Sequence, residues 1–301
     1  MKESKNMKIG VIGSGIMGHG IAQTLARYGY TVIMNDISME FLQNGMQMIK
    51  TGRFGLERAV SSGKMKQEEA DHTLSRISLT VNQEDLKDCD LIIEAITEDE
   101  KVKGALFKKL DGIVKKTAIF ASNTSGIMIS SLSSYTTRGK NFIGMHWFNP
   151  PQVMKLVEVV RGPETDEGVI NTIVGISESA GKVPIIVNDG PGFFTTRFLN
   201  SWLMESYRMF ETGVAGISEI DRMSKLAFGF PMGPFELSDF IGLDTMLHVA
   251  EYMYDETKRS DYAPPTLLKK LVLSGYLGNK KGSKGGWYQY YGIKLDQSDR
   301  K

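Results

Sequence analysis

Short apolar runs alternate with helical patterns from Lys8 to Val187. The runs are KIGVIG, TVIMND, DLIIEAI, AIFAS, NFIGMHW, KLVEVV and VPIIV. Runs of this kind are typical of strands buried on both faces, and helices between them supply the crossovers that parallel strands need. The order therefore predicts an α/β protein with a parallel, doubly wound sheet.

A glycine turn lies between the first strand and the first helix of this pattern. It reads Gly13-Ser14-Gly15-Ile16-Met17-Gly18, and the second strand ends at Asp36, about 20 residues further on. Gly13 permits a tight turn, Gly15 lets the backbone approach a pyrophosphate, and Gly18 lets the helix press on the strand. Asp36 would accept hydrogen bonds from a ribose 2′-hydroxyl and repel a 2′-phosphate. These residues predict a Rossmann-like domain that binds NAD rather than NADP.

A long stretch between the second and third of these runs, about residues 37–76, is rich in helix formers and is interrupted at Ser61-Ser62-Gly63. We interpret it as a helical hairpin inserted into the domain and standing off the sheet. Any one of its basic side chains could simply be solvated, whereas together they could bind a ligand that carries phosphate. The basic residues are Lys50, Arg53, Arg58, Lys64 and Lys66.

The pattern changes at Asn188-Asp189-Gly190-Pro191-Gly192, which is dense in turn formers. We therefore expect a dinucleotide-binding domain over residues 1–188 and a second domain over residues 189–301. Apolar residues at helical spacing predict that the second domain is all-α and binds substrate. Its many large apolar side chains favour a homodimer formed through this half.

Composition excludes several classes of protein. Lys and Arg number 36 against 35 for Asp and Glu, so no general attraction to nucleic acid or an anionic membrane is expected. The start MKESKNMKIG lacks the apolar stretch of a signal peptide, and no run reaches the roughly 18 apolar residues of a membrane span. Cys89 is the only cysteine, which precludes an internal disulfide and zinc-thiolate clusters. The sequence predicts a metal-free protein of the reducing cytoplasm.

Polar side chains end two of the later strands. Ser122-Asn123-Thr124-Ser125 closes AIFAS, His146 lies near the end of NFIGMHW, and Glu158 lies on the strand that follows. The carboxyl ends of strands are where an open α/β sheet binds its ligand. The hydroxyls and amide could also serve only as a capped loop. A histidine within reach of a carboxylate is suited to act as a positioned general base.

The segments GSGIMG, SNTS, HWFNPP, MKLVEV and PMGPFELSDFIGLD, together with Asp36, resemble the L-3-hydroxyacyl-CoA dehydrogenases. Within that family the chain is most similar to the stand-alone bacterial 3-hydroxybutyryl-CoA dehydrogenases, from about residue 7 to KGGWYQY. The resemblance implies that (S)-3-hydroxyacyl-CoA and 3-oxoacyl-CoA are interconverted by hydride transfer with NAD. The expected substrate is short-chain, 3-hydroxybutanoyl-CoA, in fatty-acid or butyrate metabolism.

The resemblance also implies roles for individual residues. His146 would be the general base and Glu158 would orient it. Ser125 would hydrogen-bond the reacting oxygen, and Asn149 would lie at the thioester end of the substrate. Three residues match family contacts to the cofactor: Glu98, Lys103 and Asn123. Glu98 and Lys103 could equally belong to the exposed, charged start of a helix.

Thr196 departs from the family pattern, which has an asparagine of the catalytic set at this place. A hydroxyl still donates one hydrogen bond, but with a shorter reach than an amide. Relatives bind the adenosine phosphates of coenzyme A with the inserted helices, where Arg58 and Lys64 are the candidate contacts. Two alternatives stay open: an NAD-dependent dehydrogenase of a free hydroxy acid or sugar acid, and a non-catalytic NAD-binding relative, which Thr196 favours.

Overall fold

One sheet of eight strands organises residues 8–188 in the computed structural model, which describes residues 7–294. The strands are β1 (Lys8–Ile12), β2 (Thr31–Asn35), β3 (Ile77–Thr80), β4 (Leu91–Glu94), β5 (Ile119–Ser122), β6 (Phe142–Trp147), β7 (Leu156–Arg161) and β8 (Val183–Asn188). Their order across the sheet is β3-β2-β1-β4-β5-β6-β7-β8. The predicted doubly wound α/β architecture is confirmed.

Two features of the sheet differ from the prediction. β3 was not expected, because its four residues ISLT are too few and too polar to read as a buried strand. β1 to β6 run parallel, but β7 runs antiparallel to β6, and β8 runs parallel to β7. The reversal has a physical cause: the link from Trp147 to Leu156 is too short for the crossover that a parallel pair requires.

Helices cover both faces of this sheet. Leu91 and Ile93 belong to one cluster of buried apolar side chains and Ile92, between them, belongs to another, as alternation along a strand requires. The helices are α1 (Ile16–Arg27), α2 (Met39–Thr51), α3 (Leu56–Ser61), α4 (Gln67–Ser75), α5 (Glu100–Ile113), α6 (Ile129–Ser133) and α7 (Glu167–Ser179).

The insertion between β2 and β3 forms three helices, α2 to α4, instead of a two-helix hairpin. It also does not stand off the sheet. Leu42, Ile49, Leu56 and Met65 are buried in the same cluster as the apolar residues of β1 and α1. Because moving these apolar side chains out of water lowers the free energy, the insertion packs as part of the domain core.

A second unit, all-helical as predicted, follows; the division falls between Phe193 and Phe194. The expected boundary near residue 188 coincides with the end of β8, whereas Phe193 still packs in a core cluster of the first unit. The helices are α8 (Thr195–Glu211), α9 (Ile217–Phe228), α10 (Pro234–Ile241), α11 (Leu243–Thr257), α12 (Thr266–Leu273) and α13 (Trp287–Tyr290). Within residues 7–294, no helix has the length and apolar character needed to cross a membrane.

Candidate active site

The glycine turn after β1 adopts a conformation that side chains would prevent. Gly13 has φ +93°, and a Cβ there would lie 2.5 Å from the Ala95 carbonyl oxygen. A Cβ at Gly18 would lie 1.8 Å from the Gly13 carbonyl oxygen. Gly15, in contrast, faces open space. Two glycines are therefore required by the turn itself, and the third leaves room for a ligand to approach the backbone.

Helix α1 begins at this turn and has an uncapped N-terminus. Gly15 is its N-cap and offers no side-chain acceptor, so the first backbone N–H groups stay available to an anion. Ile16 is exposed and Met17 packs on the core. Nδ1 of His19 lies 2.7 Å from the Gly15 carbonyl oxygen. Burial lowers the pKa of His19, and this hydrogen bond opposes the shift only in part.

Asp36 lies at the end of β2 against the same turn. One of its carboxylate oxygens accepts hydrogen bonds from the backbone N–H and the hydroxyl of Ser14, both at 2.7 Å. A cavity of about 450 Å³ opens here, lined by Gly13, Asp36, Glu84 and Ile96 among others. The volume, the apolar walls and the carboxylate at the rim fit the adenosine half of a dinucleotide.

His146 and Glu158 face each other across the antiparallel pair β6 and β7. Nδ1 of His146 lies 2.7 Å from a carboxylate oxygen of Glu158, and both side chains are buried. Because a carboxylate only accepts hydrogen bonds, Nδ1 donates to Glu158. The rings of Phe148 and Phe193 lie 4.5 and 6.3 Å from the imidazole, between centroids. In the neutral tautomer with the proton on Nδ1, Nε2 keeps its lone pair and can accept a proton.

Asn123 connects the strand ends beside His146. Its side-chain oxygen accepts a hydrogen bond from the backbone N–H of Trp147 at 2.8 Å. Its backbone N–H donates to the backbone carbonyl of Glu94 at 2.8 Å. The side chain is buried. Asn123 therefore holds the ends of β4, β5 and β6 together, next to the residue that follows His146.

Lys103 is buried between two carboxylates. Its Nζ lies 2.5 Å from Glu94 and 3.2 Å from Glu98. Glu98 also accepts the hydroxyl of Thr124 and the backbone N–H of Ser125. Burial acts to lower the pKa of Lys103, but the two carboxylates outweigh it and raise the pKa. The alternative of an exposed, charged helix start is therefore wrong for Lys103, which is 1% exposed.

The structure adds residues that sequence reasoning missed. Glu94 is fully buried at the end of β4 and also accepts hydrogen bonds from the Ser122 hydroxyl at 2.5 Å and the Ile96 N–H at 2.8 Å. A carboxylate inside the apolar run DLIIEAI was the available signal, since a buried charge needs a partner.

The other candidates lie outside this buried network. Ser125 is exposed, and its hydroxyl makes no hydrogen bond to any described residue. Asn149 is exposed on the turn after β6 and precedes the cis-proline Pro150. Thr196 is partly buried in the first turn of α8, in the second unit.

Five basic residues of the insertion are exposed, and within residues 7–294 none of these five forms a salt bridge. They are Lys50, Arg53, Arg58, Lys64 and Lys66. Arg53 lies over the ring of Phe54, 5.4 Å from its centroid. The insertion therefore presents unpaired cations to solvent.

The glycine turn, the acid at the end of β2 and the buried histidine–carboxylate pair together define an NAD-dependent dehydrogenase. Residues 8–190 match the 3-hydroxyacyl-CoA dehydrogenase NAD binding domain, and residues 192–290 match the C-terminal domain of the same family. The chain belongs to the 3-hydroxyacyl-CoA dehydrogenase family.

Individual relatives extend over nearly the whole chain. A probable 3-hydroxybutyryl-CoA dehydrogenase of Deinococcus radiodurans is 42% identical over 284 residues, 94% of this chain and 100% of the relative. The 3-hydroxybutyryl-CoA dehydrogenase of Clostridioides difficile is 40% identical over 94% of this chain and 99% of its own. The crystal structure of (S)-3-hydroxybutyryl-CoA dehydrogenase PaaH1 from Ralstonia eutropha superposes with a TM-score of 0.88 at 40% identity, covering 92% of this chain and 97% of that one.

Proposed function

We propose that this chain interconverts (S)-3-hydroxybutanoyl-CoA and its 3-oxo counterpart with NAD. The observation that carries the proposal is the buried pair of His146 and Glu158, with 2.7 Å between Nδ1 and the carboxylate, on the sheet that also carries the glycine turn. The names of the relatives support the short acyl substrate.

The residues of the first unit suit the cofactor. Backbone groups of the glycine turn, with Ile16 and Met17 at the start of α1, would hold the pyrophosphate, and Asp36 would bind the ribose. We assign Glu98, Lys103 and Asn123 to its remaining contacts. When bound, NAD accepts a hydride from the 3-hydroxyacyl group and NADH returns it.

Proton transfer falls to His146. Its Nε2 takes the proton of the 3-hydroxyl group during oxidation and gives it back during reduction. The imidazolium that forms is stabilised by Glu158, whose carboxylate already accepts the Nδ1–H. The burial of both side chains strengthens this interaction, because little water screens it.

Three polar side chains are proposed to bind the acyl group. The hydroxyl of Ser125 is available to the reacting oxygen, because it has no bond to any part of the described chain. Asn149 can bind the thioester end from the turn after β6. Thr196, in the second unit, is assigned to the substrate with a hydroxyl in place of an amide.

The unpaired cations of the insertion support binding of a coenzyme A thioester rather than a free acid. Arg58 and Lys64 are the proposed phosphate contacts, with Arg53 beside them. Neutralising these three residues should weaken the binding of an acyl-CoA and leave the binding of a small free acid unchanged.

We also propose a homodimer formed through the second domain, in the cytoplasm and in fatty-acid or butyrate metabolism. Large apolar side chains exposed in the second unit support the dimer. They include Phe198, Val214, Met223, Leu226, Phe228 and Phe240. Sedimentation should give twice the chain mass of 33.5 kDa, and a mass of one chain would contradict the dimer.

The test of the reaction is the oxidation of NADH or NADPH with acetoacetyl-CoA, longer 3-oxoacyl-CoAs and free acetoacetate. We expect turnover with NADH and acetoacetyl-CoA, and much less with NADPH because Asp36 repels the 2′-phosphate. Turnover of the free acid alone would favour a hydroxy-acid dehydrogenase. Absence of turnover with every substrate would leave a non-catalytic NAD-binding protein.

A further inference from the structure

The turn that follows β6 rests on helix α1 on one side. The backbone N–H groups of Val153 and Met154 both donate to the Pro150 carbonyl at 3.0 Å, which closes the turn. The side chain of Gln152 donates to the Gln23 side chain on α1 at 3.0 Å. A Cβ at Gly20 would lie 3.0 Å from the turn, so the missing side chain permits this close approach. The turn is thereby fixed to the helix that starts at the glycine turn.

Lys182 holds the same turn from the other side. It lies between α7 and β8, and its Nζ donates to the carbonyl oxygens of Pro151 at 2.5 Å and Met154 at 2.8 Å. The Nζ also lies 5.4 Å from the centroid of the Trp147 ring. Trp147 directly follows His146. One ammonium group therefore contacts both the end of β6 and the turn that leads away from it.

Burying this ammonium group is costly. Lys182 is 8% exposed, and no carboxylate of the described chain lies within salt-bridge distance of it. Burial lowers the pKa of Lys182 to about 8, with no compensating charge. An isolated buried charge is normally avoided. A cation with several donors is nevertheless the group that can satisfy two carbonyls and lie near a ring at once, which an amide or hydroxyl cannot do.

We propose that Lys182 is a positioning residue for the dehydrogenase reaction: its ammonium group fixes the Asn149–Met154 turn and the end of β6, and so sets the placement of Asn149 and His146. The inference rests on the proposed function. Its Nζ donates to backbone carbonyls of the turn, so Lys182 acts through the turn. A displacement of about 1 Å at reacting groups can reduce a rate by about 100-fold.

The test compares Lys182→Met with the wild type in the full chain. We expect kcat/KM for acetoacetyl-CoA to fall by about 10- to 100-fold, while the Kd for NADH, followed by fluorescence, stays unchanged. Lys155→Met is the matched control, because Lys155 is exposed at the end of the same turn and its side chain forms no hydrogen bond or salt bridge with any of residues 7–294. It should behave as the wild type.

Lys182→Arg provides the rescue, because a guanidinium group keeps the charge, donates to two carbonyls and stacks on an indole ring. It should recover part of the lost kcat/KM. Lys182→Gln, which keeps a donor without a charge, replaces the methionine variant if that variant does not fold. The inference is overturned if folded Lys182→Met or Lys182→Gln turns over acetoacetyl-CoA like the wild type, or if NADH affinity falls in step with turnover.

The wild-type assay separates the two proposals. A wild type that does not reduce acetoacetyl-CoA rejects the proposed function, and with it this inference. A wild type that turns over beside an unaffected, folded Lys182 variant rejects only the role of Lys182.

Discussion

Buried carboxylates are treated differently in the two units of the chain. In the first, Lys103 lies between Glu94 and Glu98, so that opposite charges neutralise each other. In the second, Asp221 and Asp239 are buried without a cation within salt-bridge distance among residues 7–294. Each unit therefore uses its buried carboxylates for a different purpose.

Asp221 and Asp239 serve helix starts. Asp221 accepts the backbone N–H groups of Phe235 and Glu236 in the first turn of α10, and the hydroxyl of Tyr288. Asp239 accepts the N–H of Trp287, the first residue of α13. These carboxylates satisfy N–H groups that a helix start leaves unpaired. Their charge is therefore structural, whereas the buried ion pair of the first unit stands beside the candidate cofactor site.

The largest expected effect is on catalysis. It tests whether the buried pair of His146 and Glu158 in the first unit contains the reactive group. His146→Gln should lower kcat by about 10²- to 10⁴-fold, because a general base contributes rate factors of this size. The Kd for NADH should change little, since the imidazole is assigned to the substrate. Steady-state kinetics measure kcat, and NADH fluorescence measures the Kd. A variant with the wild-type rate would mean that another residue is the base.

The ion pair itself is tested by Lys103→Met. Glu94 would remain buried without its cation, and breaking a buried pair costs about 3–5 kcal/mol in the free energy of unfolding. Lys101→Met, on the exposed face of the same helix, is the control and should cost almost nothing. Urea unfolding measures the free energy of unfolding of the wild type and of both variants. An equal stability of both variants would indicate that the Lys103 pair contributes nothing.

The pH dependence of stability should separate the units. Burial raises the pKa of Asp221 to about 6, and of Asp239 to about 6, against the opposing hydrogen bonds. Between the ordinary value of 3.8 and about 6, the folded state holds these protons more tightly than the unfolded chain. Raising the pH through this window should therefore destabilise the second unit, by up to about 3 kcal/mol per carboxyl.

The first unit should respond in the opposite direction and at lower pH. Burial acts to raise the pKa of Asp111, but hydrogen bonds from Thr137 and Arg138 outweigh it and lower the pKa. The stability that Asp111 supplies is fully present at pH values above its ordinary pKa of 3.8, and it is lost as the pH falls through the lowered pKa. Hydrogen exchange of the full chain resolves both units. Parallel pH profiles in the two units would contradict the comparison.

Much of the fold could be predicted, because buried strands and amphipathic helices leave periodic patterns. β3 was not predicted, because four residues that include serine and threonine leave no such pattern. The reversal at β7 was also not predicted, although the link after Trp147 is visibly too short for a parallel crossover. The insertion was misjudged because charge on its surface does not reveal that Leu42 and Ile49 face the core.

The site was predictable where neighbouring strands bring residues together. His146 and Glu158 were expected to approach across adjacent strands, and their side chains lie 2.7 Å apart; their roles stay predictions. Glu94 and Lys182 were missed for a physical reason. Their partners are a lysine on a following helix and the carbonyls of a distant turn, and no sequence pattern encodes which backbone oxygens an isolated cation meets.

The smallest expected effect concerns Asn200 on α8. It is 1% exposed, and neither polar atom of its amide has a hydrogen-bond partner among the described residues. An unsatisfied buried polar group costs about 1–3 kcal/mol, so Asn200→Leu should leave the second unit as stable as the wild type or more stable by about 1 kcal/mol. Ser201→Leu, on the partly buried neighbour, controls for a simple gain in helix propensity. Urea unfolding followed by hydrogen exchange measures the change. A clear loss of stability in Asn200→Leu alone would mean that the amide is needed, and that the second unit also satisfies its buried polar groups.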